Sequence, residues 1–207
     1  GIIGATGAGK TTIVNLLMRF YDADQGAVRI DGKDVRIMGF HELRKRFGTV
    51  FQNDTIFEDT IMENINMGRE LSEEAVMEAV LYGRASEFVE EKGGISAQLD
   101  IKGANLSGGQ KQRILIARAL AAKPDILILD DSSSALDYKT DAALRKELRE
   151  HFAETTCVII AQRISSIMNS DHIMVLEDGQ MIGYGTHQEL METCEIYREI
   201  GKSQMGI

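Results

Sequence analysis

The chain has 207 residues, 43% of them hydrophobic and 27% charged, and a net charge of −9. That profile suits one globular domain, or a domain with a subdomain, long enough to bury a core. The acidic balance, with a pI near 5.0, counts against a nucleic-acid binder, which more often carries a basic face; no apolar run reaches the roughly 18–20 residues that span a bilayer, and the start does not read as a signal peptide.

In chain order, "GII" reads as the end of a strand that runs into a glycine loop and an amphipathic helix over Lys10–Phe20. Such a loop normally follows a full strand, so residues upstream of Gly1 are expected. "GAVRIDGKDV" alternates and turns at Asp31-Gly32, as a hairpin does. "HELRKRF" reads as a short helix and "GTVFQ" as a buried strand. Thr60–Asn66, Glu73–Tyr82 and Ser86–Glu91 are helical in pattern with no strand candidate between them. A helical subdomain is therefore expected over 57–105, dividing a core of 1–56 from one of 106–207. In the second part, helix Ser107–Ala121 leads to strand Ile126–Asp130, and helix Lys139–Phe152 to strand Thr156–Ala161. Strand His172–Glu177 turns at Asp178-Gly179 into strand Gln180–Gly185, and Thr186 is placed to cap a last helix. Runs such as "ILIL" and "CVIIA" are what a parallel sheet covered on both faces requires. Cys157 and Cys194 lack metal-ligand or C-x-x-C spacing and read as free thiols of a reducing compartment.

Three motifs carry chemistry. "GATGAGKTT", Gly4 to Thr12, fits G-x-x-x-x-G-K-[ST] between a strand and a helix. Its glycines let backbone N–H groups converge on phosphate oxygens, and the helix start adds partial positive charge. Lys10 would reach the β- and γ-phosphates, and the Thr11 hydroxyl would bind Mg²⁺. In "LSGGQ", Leu106 to Gln110, Ser107 and Gln110 are spaced for a capping box, and Gly108 and Gly109 leave the first helical turn bare, a second anion site. "ILILDD" ends a buried strand on two acids. In nucleotide hydrolases Asp130 in such a place holds water around Mg²⁺, and the next acid takes a proton from the attacking water.

The order P-loop, "VFQ", "LSGGQ", "ILILDD", "SALD" resembles the nucleotide-binding domain of ABC transporters, from Gly1 to Gln204. The resemblance implies a P-loop NTPase (RecA-like) α/β fold: a mostly parallel sheet with helices on both faces and an inserted α-helical subdomain. It implies ATP as ligand, held by Gly4, Thr6, Gly7, Ala8, Gly9, Lys10, Thr11, Thr12, Gln52 and Asp130. It also implies Mg²⁺ at Thr11, Gln52 and Asp130, the last through water. Two such domains pair head to tail, so that Leu106, Ser107, Gly108, Gly109 and Gln110 serve the partner's ATP, and Ser134, Ala135, Leu136 and Asp137 form the D-loop that addresses the opposite site. "FEDTIMENINMG" and "THQELMETCEIYREI" resemble segments of exporters whose membrane and nucleotide domains are fused. That implies transmembrane domains upstream and a place at the cytoplasmic face of the cell membrane.

The chain departs from that pattern where the chemistry lies. Asp131 stands in place of the usual catalytic Glu, one methylene shorter, or about 1.5 Å. Gln162, in "VIIAQRISS", stands in place of the usual His; it donates a hydrogen bond but carries no proton or positive charge at neutral pH. The signature is intact. The chain therefore resembles the degenerate half of a heterodimeric exporter, with its own ATP held as a slow latch and its signature completing an active site on a partner. Ile101 also occupies the place of a Glu shortly before the signature. No residue can be assigned to stack on adenine. Two other readings are a non-transport ABC ATPase acting on nucleic acid or ribosomes, and a regulatory ATP-binding module without turnover. Chromosome-type relatives would carry a long heptad insert; only a short helical insert is present, and no nucleic-acid partner is expected.

Overall fold

The computed structural model describes residues 1–131 and 135–205, the last of them by its backbone alone. They form two compact units, one of residues 1–44, 128–131 and the described part of 158–207, the other of 45–127 and the described part of 132–157.

In the first unit, β1 (Ile2–Gly4) runs parallel to β6 (Thr156–Ile160) and β7 (Ile173–Glu177), with Ile2, Ile3 and Gly4 in register with Met174, Val175 and Leu176. β8 (Gln180–Gly185) returns antiparallel to β7, and the end of β5 (Ile126–Asp130) flanks β6. A mostly parallel sheet with crossover helices is the α/β architecture expected. Both Asp-Gly turns form. Asp31 and Gly32 have φ 49° and 77° between β2 (Arg29–Ile30) and β3 (Lys33–Asp34), and Asp178 and Gly179 have φ 47° and 76°. Two successive positive φ values are what a two-residue hairpin loop needs to match strand twist. The short helix expected next forms as α2 (Phe40–Lys45).

Three expectations shift. Helix α1 (Lys10–Leu17) stops short of Phe20 because Arg19 turns left-handed, φ 53°. The amides of Arg19 and Phe20 then fold back on the carbonyls of Leu16 and Asn15 and close the helix end. The last helix is two, α8 (His187–Thr193) and α9 (Glu195–Met205), broken where Cys194 is extended at φ −111°, ψ 107°. β6 is only half-buried over most of its length, whereas β5 is buried beyond its first residue. Thr186 caps α8 with a full capping box to Glu189, as placed. The core of this unit gathers Ile3, Ile164, Ile173, Val175, Leu190 and Tyr197. The Tyr197 hydroxyl, 2.8 Å from His187 Nδ1, is pushed up to about 12 by burial.

The second unit holds β4 (Phe47–Val50), the starts of β5 and β6, α3 (Ile61–Asn66), α4 (Glu73–Tyr82), α5 (Ser86–Glu91), α6 (Gly108–Ala121) and α7 (Tyr138–His151). α6 is central and packs against α3, α4 and β4. Its apolar face, Ile114, Leu115, Ile116, Ala117 and Leu120, is buried. Cys157 and Cys194 are free thiols. Among the described residues no helix is long and apolar enough to cross a membrane.

A polar knot ties α3 to α6. The buried Asn64 amide donates to the carbonyls of Phe57 and Thr60 and accepts from the Phe57 amide and Arg118 Nη2, each at 2.8–3.0 Å. Arg118, largely desolvated, also donates to the carbonyls of Asn64 and Thr55. Removing one partner strands buried groups at about 1–3 kcal/mol each. Asn64→Ala is expected to lower the unfolding free energy by about 2–4 kcal/mol, read from the urea midpoint. A loss under about 1 kcal/mol would show that water replaces the amide.

Candidate functional site

The first unit brings Gly4–Thr12, Asp130, Asp131 and Gln162 together at the ends of β1, β5 and β6. Gly4 ends β1 so close to β7 that a Cβ there would lie 2.3 Å from the Leu176 carbonyl oxygen. The chain then turns through exposed Ala5, Thr6 and Gly7. Gly9 precedes α1 in a left-handed conformation, φ 98°, with no side-chain cap on the helix, so the first-turn amides of α1 stay available as donors. Such a turn, next to the positive end of the helix, suits an anion. The loop is anchored on one side by Gly179, whose amide donates to Ala8 O at 3.2 Å. Lys10 lies across it, with Nζ 2.7 and 2.8 Å from the carbonyl oxygens of Gly4 and Ala5. Thr12 is exposed on the first turn of α1.

Asp130 is 8% exposed at the end of β5. Burial, and next the charge of Asp131, push its carboxyl above the usual range; Lys10 and a hydrogen bond from Thr11 pull the other way. A carboxylate and a hydroxyl side by side are hard oxygen ligands that suit Mg²⁺, which keeps most of its shell as water and substrate phosphate. Among the described residues no group of three or more His, Cys, Asp or Glu forms a metal cage.

Asp131 follows with φ 50°, its amide held by Ile160 O at 2.9 Å. Gln162 Nε2 stands 3.5 Å from Asp131 Oδ2, a long hydrogen bond. The two departures read from the sequence thus meet side chain to side chain. Sequence reasoning missed the next contact. Gln204 Nε2 donates to Gln162 O at 2.7 Å, and its Oε1 accepts from the Ile164 amide at 2.8 Å. A pair separated by 42 residues and belonging to no motif leaves no trace in periodicity.

The second unit brings Leu106–Gln110 together with Ala135–Asp137. Ser107 caps α6 in a reciprocal capping box with Gln110, at 3.2 and 2.9 Å. Ser107 and Gly108 are exposed and Leu106 is buried beneath them. A Cβ on Gly109 would come within 3.2 Å of Ala135 O, so the glycine lets residues 135 and 136 pass over the helix start. Leu136 is buried. Asp137 caps α7, accepting from the Thr140 amide and hydroxyl at 2.9 and 2.6 Å, and these bonds hold its carboxyl below the usual range. Ser134 lies outside the described residues. Gln52 is exposed in the turn after β4, where Asp54 accepts from the Phe51 amide. Ile101 is exposed in a short 3₁₀ turn, Ile101–Gly103.

The family model described as ABC transporter matches residues 1–134. Over 98% of its length the chain is 41% identical to the ATP-dependent lipid A-core flippase of Methylobacillus flagellatus, covering 35% of that protein. It is 39% identical to the fatty acid ABC transporter ATP-binding/permease protein of Mycobacterium bovis, over 98% of the chain and 32% of the relative. A solved structure of a bacterial Atm1-family ABC exporter with ATP bound superposes with a TM-score of 0.94 at 36% identity, over 98% of this chain and 36% of that one. The chain thus spans about a third of the length of the relatives it matches.

Asp130 is a charge the fold holds at a cost, since its folded pKa is raised. The penalty acts while the carboxylate is ionised, above its folded pKa, and vanishes as pH falls below its unfolded value. Without nucleotide or Mg²⁺, Asp130→Asn is therefore expected to raise the melting temperature at pH 7 and to lose that advantage toward pH 3. An unchanged or lowered melting temperature at pH 7 would contradict it.

Proposed function

The chain belongs to the ABC transporter family, and from that premise we propose that it is the ATP-binding domain of a membrane exporter, one that holds ATP in its own loop and hydrolyses it slowly. The first-turn amides of α1 and the Lys10 cation would bind the triphosphate oxygens. Thr11 and Asp130 would hold Mg²⁺, which would supply neutralisation of the phosphate charge. Asp130 fits as a ligand and not as a base, because it is buried beside Thr11 and Lys10.

The single observation that carries the slow-site reading is the contact between Asp131 and Gln162. Proton removal from an attacking water needs an acceptor within about 2.6–3.2 Å of it. The shorter Asp131 side chain retracts that acceptor by about one bond length, and a misplacement near 1 Å costs on the order of 10²-fold. Gln162 can orient a neighbour through its N–H, but it supplies no positive charge to developing oxyanions and relays no proton. Both groups needed for chemistry are weakened together while the phosphate loop is intact.

In the second unit the exposed, capped start of α6 presents a further anion site. In this reading Leu106–Gln110 act on ATP held by a partner domain that has the usual Glu and His, with the D-loop Ala135–Asp137 beside them. Transmembrane domains, fused in the same protein, place the domain at the cytoplasmic face of the membrane. The relatives named ATP-binding/permease protein support that arrangement.

Steady-state ATPase assays of the assembled pair test the division of labour. Replacing Asp131 by Ala is expected to leave most turnover, within about twofold, whereas Glu→Gln in the partner's site should remove about 10²-fold or more. If Asp131→Ala abolished turnover and the partner's change left it intact, the assignment would be reversed.

A further inference from the structure

The turn after Gln162 is closed by its own backbone at its far end, where the Ser166 amide donates to Arg163 O at 3.1 Å and the Ile167 amide to Ile164 O at 2.9 Å. Residues Ile164–Ser166 make a single 3₁₀ turn, and Arg163 at its start provides no side-chain cap. Gln162 follows Ala161 directly beyond β6 and is exposed. Two backbone groups on this turn, the Gln162 carbonyl and the Ile164 amide, are both taken by the side-chain amide of Gln204, at 2.7 and 2.8 Å. At neutral pH a primary amide suits this pair: its NH₂ donates to the carbonyl while its oxygen accepts from the N–H. A carboxylate would accept from Ile164 and repel Gln162 O; an ammonium would do the reverse.

Gln204 is fixed in turn by the helix that carries it. α9 packs against Ile164–Ser166. Its Tyr197 is fully buried in the same cluster as Ile164 and Ile167, with its hydroxyl on His187 of α8. Gly201, one turn before Gln204, is buried as well. The end of α9 is thus seated on the first unit's core, and its amide reaches over the turn from a fixed base.

We propose that Gln204 is a positioning residue for the hydrolytic end of the nucleotide site: by clasping the backbone on both sides of Arg163 it sets where the side chain at position 162 stands relative to Asp131. The inference rests on the reading of Asp131 and Gln162 given above. Gln204 touches no reacting atom; it acts through the backbone of residues 162–164. The last turn of α9 thereby becomes part of the site, and whatever displaces that helix end moves the residue at 162.

Two measurements test it on the assembled protein. The first is hydrogen exchange at the Ile164 amide. Gln204→Ala is expected to speed it by about tenfold or more. Gln204→Glu should speed it at pH 7 and restore protection as pH falls toward the carboxyl's own range, about 4–5, because the protonated acid again offers one donor and one acceptor. A helix end that merely packs would show no such recovery. Unchanged exchange in Gln204→Ala, or absence of recovery in Gln204→Glu, overturns the clasp.

The second is turnover in an Asp131→Glu, Gln162→His background with the partner's catalytic Glu changed to Gln, so that the hydrolysis read is this site's own, which is expected to become measurable. Adding Gln204→Ala should lower kcat about 10- to 100-fold with KM for ATP within about twofold. An unchanged kcat overturns the positioning role. If the background variant gains no turnover over the unmodified chain paired with the same partner variant, the slow-site reading falls instead, and exchange at Ile164 still decides whether Gln204 holds the turn.

Discussion

A buried carboxylate at the end of an apolar strand is the constraint on which the first unit depends. Asp130 closes "ILILD", a strand buried beyond its first residue. An unpaired charge there would be expensive. Relief comes from two neighbours in sequence on another element, the Thr11 hydroxyl and the Lys10 cation at the start of α1. Both stand on the first turn of α1, directly after the loop. Gly4 and Gly9 then follow from geometry: one to let β1 lie against β7, the other to enter the helix left-handed. The Asp178-Gly179 turn completes the anchoring by donating to Ala8. The groups that stabilise Asp130 are also those that would meet a triphosphate, so binding site and fold share one set of interactions.

The second unit solves a different problem, keeping a helix start open. Ser107 and Gln110 satisfy each other's amides reciprocally. The two glycines between them keep side chains off the approach, and Gly109 also makes room for the backbone at Ala135. A capping box is an ordinary stabilising device. Here it stands at a helix start where Ser107 and Gly108 are exposed, while Leu106 and Leu136 are buried around it.

Much of this was legible in the sequence because it is written in local rules. The capping box at Ser107, the cap at Thr186, the Asp-Gly hairpins and the bounds of β5, β8, α4 and α5 all follow from short-range chemistry. What escaped was set by tertiary contact. The apolar pattern of "NLLMRF" continues past Leu17, but the helix ends at a left-handed Arg19 whose guanidinium donates to the carbonyls of Val35 and Met38. "ETCEIY" reads as one helix, yet Cys194 is extended so that Tyr197 can enter the core. The meeting of Asp131 with Gln162, and of Gln204 with both sides of Arg163, joins residues 31 and about 40 positions apart. Motif spacing named the first pair as chemically odd but could not say that the two touch.

On the proposed reading, why a site can retain binding while losing chemistry follows from which atoms do each. Phosphate would be held mainly by main-chain N–H groups of a loop whose shape glycines and strand packing enforce, with one lysine and one hydroxyl added. Substitution at one side chain barely disturbs such a cradle. Hydrolysis depends on the placement of two side-chain groups to within about 1 Å. Both stand on backbone that is independently secured: Asp131 by its amide to Ile160, Gln162 by its carbonyl to Gln204. Neither tie uses the side chain at 131 or 162, so Asp131→Glu and Gln162→His would change reach and charge without removing either backbone bond. On the proposed reading, two side chains on such a backbone decide between turnover and retention.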